Sequence, residues 1–157
     1  MPTIYLDADA CPVKDYVYRT AARYQAPLVV VANDHLRIPQ MDGLDATMTV
    51  VPGTPDAADD WIAEHAVPGD LVLTADIPLA ARVIHNHVTC LDFRGSTYNP
   101  NRIGDALASR DLNAHLRSIG IVTSGPPAFS RNDKSRFASS LDAAVNKMMR
   151  QANSSRS

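Results

Sequence analysis

The chain has 157 residues, of which 45% are hydrophobic and 20% charged, enough for one domain with a real core and unlike the composition of a disordered polypeptide. No run approaches ~18 uninterrupted apolar residues and no basic-then-apolar leader opens the chain, so a soluble cytoplasmic protein with no membrane partner is expected. Two cysteines, Cys11 and Cys90, exclude a disulfide framework and lack zinc-site spacing. The net charge of −2 conceals an asymmetry: residues 1–92 hold 5 Lys/Arg against 13 Asp/Glu, and residues 93–157 hold 10 against 4. An acidic half beside a basic half fits a cation site next to a polyanion-binding surface, although solvated helix faces explain the basic half equally well.

In chain order, Thr3–Leu6 reads as a buried strand, followed by Asp7-Ala8-Asp9-Ala10-Cys11-Pro12 and a helix. Pro12 suits its first turn, and Val13, Tyr16, Val17, Ala21 and Tyr24 keep helical spacing on one face. Leu28–Ala32 is a second strand. A polar loop containing Asn33, Asp34, His35 and Arg37 leads to a third strand near Thr47–Val51. Thr54 is the expected N-cap of the next helix and Pro55 its first residue, with Ala58, Trp61, Ile62 and Ala66 facing the core. Leu71–Thr74 is strand four, residues 77–86 a helix, and Val88–Leu91 strand five.

Strands alternating with helices at this spacing predict an α/β fold with a mostly parallel central sheet of about five strands. Its expected order is 3-2-1-4-5, with residues 1–95 as the core. Residues 96–150 read as a helical extension packed on that core. One helix spans about 100–120, with Ile103, Leu107, Leu112 and Leu116 as candidates for its buried face. The loop Ser124-Gly125-Pro126-Pro127 precedes a last helix with Phe137, Leu141, Val145 and Met148 inward. Ser130-Arg131-Asn132-Asp133 forms a capping-box variant at its start. Residues 151–157 read as a frayed polar tail.

Asp7, Asp9, Asp76 and Asp92 sit where apolar runs end. In an open α/β sheet, ligands bind beyond the carboxyl ends of the strands, near the switch in strand order. In the order 3-2-1-4-5, strands one and four are neighbours, so Asp7 and Asp76 meet at the switch point. Asp56, Asp59 and Asp60 share a helix face whose N-terminus reaches the same edge. Carboxylates gathered there repel one another unless a cation joins them, and oxygen-only ligands select Mg²⁺ or Mn²⁺. Such a site suits phosphoryl chemistry.

Each acid also has an ordinary explanation. Asp9 and Asp76 can cap helices, Asp56 suits a first turn, and Asp70 follows Pro-Gly as a turn residue. Asp92 is either a group supporting the site or the partner of Arg94. His35 reads as an exposed loop residue. Lys14, Arg37, Arg94, Ser130 and Arg131 are the candidates for phosphate contact, with Ser130 first a cap. Cys11 is a poor nucleophile, because two nearby aspartates raise its pKa and Val17 stands where a phosphatase loop needs arginine.

The segments "YLDADACPVK", "DAADDWIAEHA", "GDLVLTADIPLAARV", "FRGSTYNPNRI", "SRDLNAHLRSIG" and "SGPPAFSRNDKSRFASSLD" together resemble the YaiI/YqxD family of bacterial proteins over nearly the whole chain. That family is largely uncharacterised and similar to PIN-like metal-dependent nucleases. The resemblance implies a PIN-like three-layer fold. It also implies metal ligation and catalysis by Asp7, Asp59 and Asp76, with Asp9 and Asp60 as alternates. Many PIN domains place a further helical Glu in the site; here the only Glu is Glu64.

The leading expectation is therefore an Mg²⁺- or Mn²⁺-dependent phosphodiesterase that hydrolyses single-stranded RNA with metal-activated water. One alternative is a non-catalytic RNA- or nucleotide-binding protein with a vestigial acidic site. Another is a haloacid-dehalogenase-like phosphatase, suggested by Asp7-Ala8-Asp9, although Cys11 replaces its usual Thr and the later motifs run in a different order.

Overall fold

A computed structural model describes residues 1–122 and 128–154; the Ser124–Pro127 loop and residues 155–157 lie outside them. The elements run β1 (Ile4–Asp7), α1 (Lys14–Tyr24), β2 (Leu28–Ala32), β3 (Ala46–Val50), α2 (Ala57–His65), β4 (Leu71–Leu73), α3 (Ile77–His85), β5 (Thr89–Leu91), α4 (Pro100–Ser118) and α5 (Arg131–Ser154). All four strand pairings are parallel, and the sheet order is β3-β2-β1-β4-β5, as expected. The chain winds outward from β1 to β3, then returns to the other side of β1 for β4. The crevice between β1 and β4 is therefore the switch point.

Alternation along the strands divides the core into two layers. Ile4, Leu6, Leu28, Val30, Leu71 and Leu73 face α1 and α5, where Val17, Ala21, Phe137, Leu141 and Val145 fill the space. Tyr5, Val31, Val72 and Cys90 face α2, α3 and α4, meeting Ile62, Leu79, Val83 and Ile103. The result is a three-layer α/β sandwich in which α5 completes one face. Among the described residues no helix is long and apolar enough to cross a membrane.

Four local expectations are corrected. Helix α2 starts at Ala57 with Asp56 as its N-cap, rather than at Pro55 after Thr54. The Ala57 amide donates to the Thr54 carbonyl at 3.3 Å. Pro55 thus occupies the second position of a β-turn, where its fixed φ fits, and Asp56 (φ −103°, ψ 2°) occupies the third. Leu112, expected inward, is 57% exposed, and Leu116 is only half-buried. Helix α4 has 19 residues against the nine of α3, its packing neighbour, so its C-terminal half overshoots the core. Residues 151–154 are helical rather than frayed, continuing α5, which no Gly or Pro interrupts.

The last correction concerns Asp92, whose ion-pair partner among the described residues is Arg102; Arg94 donates its backbone amide to Asp92 at 2.9 Å. The Arg94 guanidinium instead pairs with Asp133 at 2.7 Å. The capping box at α5 forms as expected: the Asp133 amide donates to Ser130 Oγ at 3.1 Å and the Ser130 amide to Asp133 Oδ2 at 2.9 Å.

Candidate functional site

At the carboxyl edge of β1 and β4 lies a cavity of about 310 Å³, lined by Asp7, Asp9, Asn33, Asp59, Asp76 and Phe93 among others. Its described lining includes no lysine, arginine or histidine. Four acids that the sequence singled out therefore share one recess, each delivered by a different local rule.

Asp7 is the last residue of β1 and is half-buried. The fully buried Thr74, just past β4, donates its hydroxyl to Asp7 Oδ2 at 2.7 Å. The same Thr74 oxygen accepts the Asp76 amide at 2.9 Å. Asp76 is the N-cap of α3 and accepts the Leu79 amide at 2.9 Å, as the capping reading required. Asp9 does not cap α1, whose N-cap is Val13. Its two carboxylate oxygens accept the Asn33 amide at 3.0 and 3.2 Å, tying the β1–α1 loop to the end of β2.

Asp59 reaches the cavity from the first turn of α2. Asp60 does not: it is exposed and pairs with Arg82 at 2.7 Å. A step of one residue on a helix rotates a side chain by about 100°, which separates these two neighbours. Of the acids sharing that helix face, the structure brings only Asp59 to the cavity.

Electrostatics register the crowding. Burial raises the Asp7 carboxyl above its usual range, the Thr74 hydrogen bond opposes that rise, and the charges of Asp76 and Asp9 add to it. Asp59 is pushed up to about 7, first by burial, then by the charges of Asp76, Asp7 and Asp56 and by a side-chain hydrogen bond with Asp76. A proton on Asp59 thus relieves repulsion that a cation would also relieve. Among the described residues, no three His, Cys, Asp or Glu side chains stand together as a ready-made metal cage. The donor set is oxygen-only and suits a hard divalent cation in type.

The expected phosphate contacts fall into two places. Lys14 and Arg37 line a neighbouring recess. Arg94, Ser130 and Arg131 gather at the start of α5. There Arg94 pairs with Asp133 and its guanidinium lies 5.4 Å from the Phe129 ring centre, Ser130 is a cap, and Arg131 is exposed. His35 is exposed, as expected. Burial pushes the Cys11 thiol up to about 11, so it is held as thiol; burial outweighs the neighbouring Asp7 in this.

Sequence reading passed over Thr74 as a connector and Asn33 as the partner of Asp9. Thr74 carried a signal, since it opens the Thr-x-Asp segment that follows β4. Asn33 carried none, because its contribution is a backbone amide that any non-proline residue supplies.

An all-parallel three-layer α/β fold with an acidic cavity at its switch point is the class these features define. The profile of the uncharacterised YaiI/YqxD family matches residues 5–147, and the chain belongs to that family. A UPF0178 protein of Caulobacter sp. (strain K31) is 50% identical over 150 residues, covering 96% of this chain and 98% of that relative. Another from Paramagnetospirillum magneticum is also 50% identical with the same coverage, and one from Trichlorobacter lovleyi is 47% identical over 152 residues, 96% of this chain and 97% of its own length. No solved structure matches the chain.

Proposed function

We propose that the chain is a Mg²⁺- or Mn²⁺-dependent phosphodiesterase that hydrolyses single-stranded RNA in the cytoplasm. The observation that carries this reading is the convergence of Asp7, Asp59 and Asp76 on one cavity at the switch point, without a cation in its described lining. The resemblance to PIN-like nucleases falls on the same three acids.

Asp7, Asp59 and Asp76 would hold the metal, with Asp9, which lines the same cavity, as an alternate ligand. Bound there, a divalent cation supplies a Lewis acid that activates water and stabilises charge on phosphorus. Thr74 orients the two acids at the strand ends: its hydroxyl proton points to Asp7 and its lone pair receives the Asp76 amide. Asp59, which holds a proton near neutrality, would release it as cation and substrate enter. The volume of about 310 Å³ is at the lower end for ligand pockets and suits a small group such as one phosphodiester.

The test is cleavage of labelled single-stranded RNA with Mn²⁺ or with EDTA, beside an Asp7→Asn/Asp76→Asn double variant. Cleavage that needs Mn²⁺ and disappears in the variant supports the reading.

A second reading, a non-catalytic RNA-binding protein with a vestigial site, is favoured by the backbone engagement of Asp9 and Asp76 and by the lack of a ready-made cage among the described residues. RNA binding equal in both proteins, with no cleavage, would select it. The phosphatase reading receives less support, since the described lining offers no lysine beside Asp7 and Asp9.

A further inference from the structure

A second recess of about 860 Å³ is lined by residues of α1 and of the segment after β2. Lys14 and Arg37 supply its positive charge, Tyr18, Leu36 and Ile38 its apolar wall, and Asp15 is the one acid in its described lining. Its size falls within the roughly 300–1,000 Å³ of typical ligand pockets.

The two recesses have no lining residue in common but are built on the same two segments. The β1–α1 segment contributes Asp7, Asp9 and Ala10 to the acidic one and Lys14, Asp15 and Tyr18 to the basic one. The segment after β2 contributes Asn33 to the first and residues 36–40 to the second. The bond from the Asn33 amide to Asp9, at 3.0 Å, joins these two segments. Both recesses thus lie along the same two chain segments.

Both cations have capacity for an anion. Lys14 Nζ donates to the Cys11 carbonyl at 3.0 Å, which anchors the ammonium and leaves two of its three donors. Arg37 is exposed and enters no ion pair among the described residues.

We infer that this recess is a nucleotide subsite of the same active site. Lys14 and Arg37 receive the backbone phosphate adjacent to the scissile one, and Leu36 and Ile38 provide an apolar wall for its base. The inference rests on the phosphodiesterase reading and narrows its substrate to single-stranded oligonucleotides carrying at least one phosphate beyond the one cleaved.

The test is fluorescence anisotropy of a fluorescein-labelled single-stranded oligouridylate, titrated in EDTA over a range of salt, with uridine monophosphate as competitor. Lys14→Gln and Arg37→Gln should each weaken binding several-fold and reduce the slope of log K against log salt by about 0.7, the value for one phosphate contact on a single strand. Arg37→Lys should keep the slope, and the monophosphate should compete poorly. Unchanged affinity and slope in both Gln variants, or no binding by the unaltered protein, would overturn the subsite.

A parallel cleavage assay with Mn²⁺ on the unaltered protein separates the two readings. Cleavage without any effect of the Gln variants on binding removes the subsite alone. The expected binding changes without cleavage remove the phosphodiesterase and leave a nucleic-acid-binding recess.

Discussion

Thr74 donates its hydroxyl proton to Asp7 at 2.7 Å, joining the end of β4 to the end of β1 across the switch point. Because the same oxygen also accepts the Asp76 amide, one buried side chain sets the spacing of two acids that are 69 residues apart in sequence. Replacing it with Val keeps the shape and removes both bonds. Thr74→Val should lower stability by about 1–3 kcal/mol, the usual effect of leaving a buried polar partner unmet. Asp7 should then titrate higher still, since the Thr74 bond is what opposes its rise. Thermal denaturation checks the first outcome. A higher Mn²⁺ requirement for half-maximal RNA cleavage checks the second.

Asp59 and Asp60 are adjacent in sequence and should behave as opposites. Asp60→Asn breaks an exposed pair with Arg82 and should change stability by no more than about 1 kcal/mol, with cleavage intact. Asp59→Asn removes a charge crowded by Asp76 and Asp7. In EDTA it should therefore raise the melting temperature, because an amide does not repel its neighbours. In Mn²⁺ it should abolish both cleavage and the metal-induced rise in melting temperature expected of the unaltered protein. Melting curves of the two variants, each with and without metal, decide this. Equal responses would remove Asp59 from the site.

That contrast also shows where sequence reading stopped. The strand order was legible because crossovers between parallel strands wind one way, and a chain of mostly βα units leaves few alternatives. The position of Asp7 followed directly, since a residue that ends a strand has its place fixed by the sheet, and Asp76 followed as the cap of the helix that leaves β4. Asp59 against Asp60 depended on the rotation of α2 about its axis, which helical spacing alone leaves open. Leu112 was misplaced for a related reason: periodicity marks a face but not how far the neighbouring helix extends. The exchange of Arg94 for Arg102 beside Asp92 reflects the long-range pull of Asp133, 39 residues beyond Arg94.

Gly95 separates the α/β core from the helices that follow, and its geometry admits no side chain. It has φ +92°, and a Cβ built there would stand 2.7 Å from the Arg136 carbonyl carbon and oxygen. Backbone of α5 therefore lies directly against this turn. Gly95→Ala should cost about 1–3 kcal/mol from the left-handed conformation alone, with the clash in addition. Gly53, where a Cβ would meet nothing within 4 Å and φ is ordinary, is the control, and Gly53→Ala should leave the denaturation midpoint nearly unchanged.

Asp133 makes the start of α5 sensitive to acid. It is 3% exposed and accepts the Ser130 amide, Arg94 and Arg136 at 2.9, 2.7 and 2.6 Å. The Ser130 backbone bond, ahead of the Ser130 hydroxyl and Arg94, holds its carboxyl below the ordinary value of 3.8. A folded pKa below the unfolded one means that the unfolded chain binds the proton more readily. The stabilisation from Asp133 is therefore full above the ordinary value and is lost as pH falls from there through the lowered one. Asp133→Asn removes the charge at every pH. It should lower the melting temperature near neutrality and flatten the acid limb of the curve, so that the two proteins converge as pH drops. Melting temperatures of both, followed from neutral pH into acid, should show that convergence; parallel curves would mean that Asp133 contributes shape and not charge.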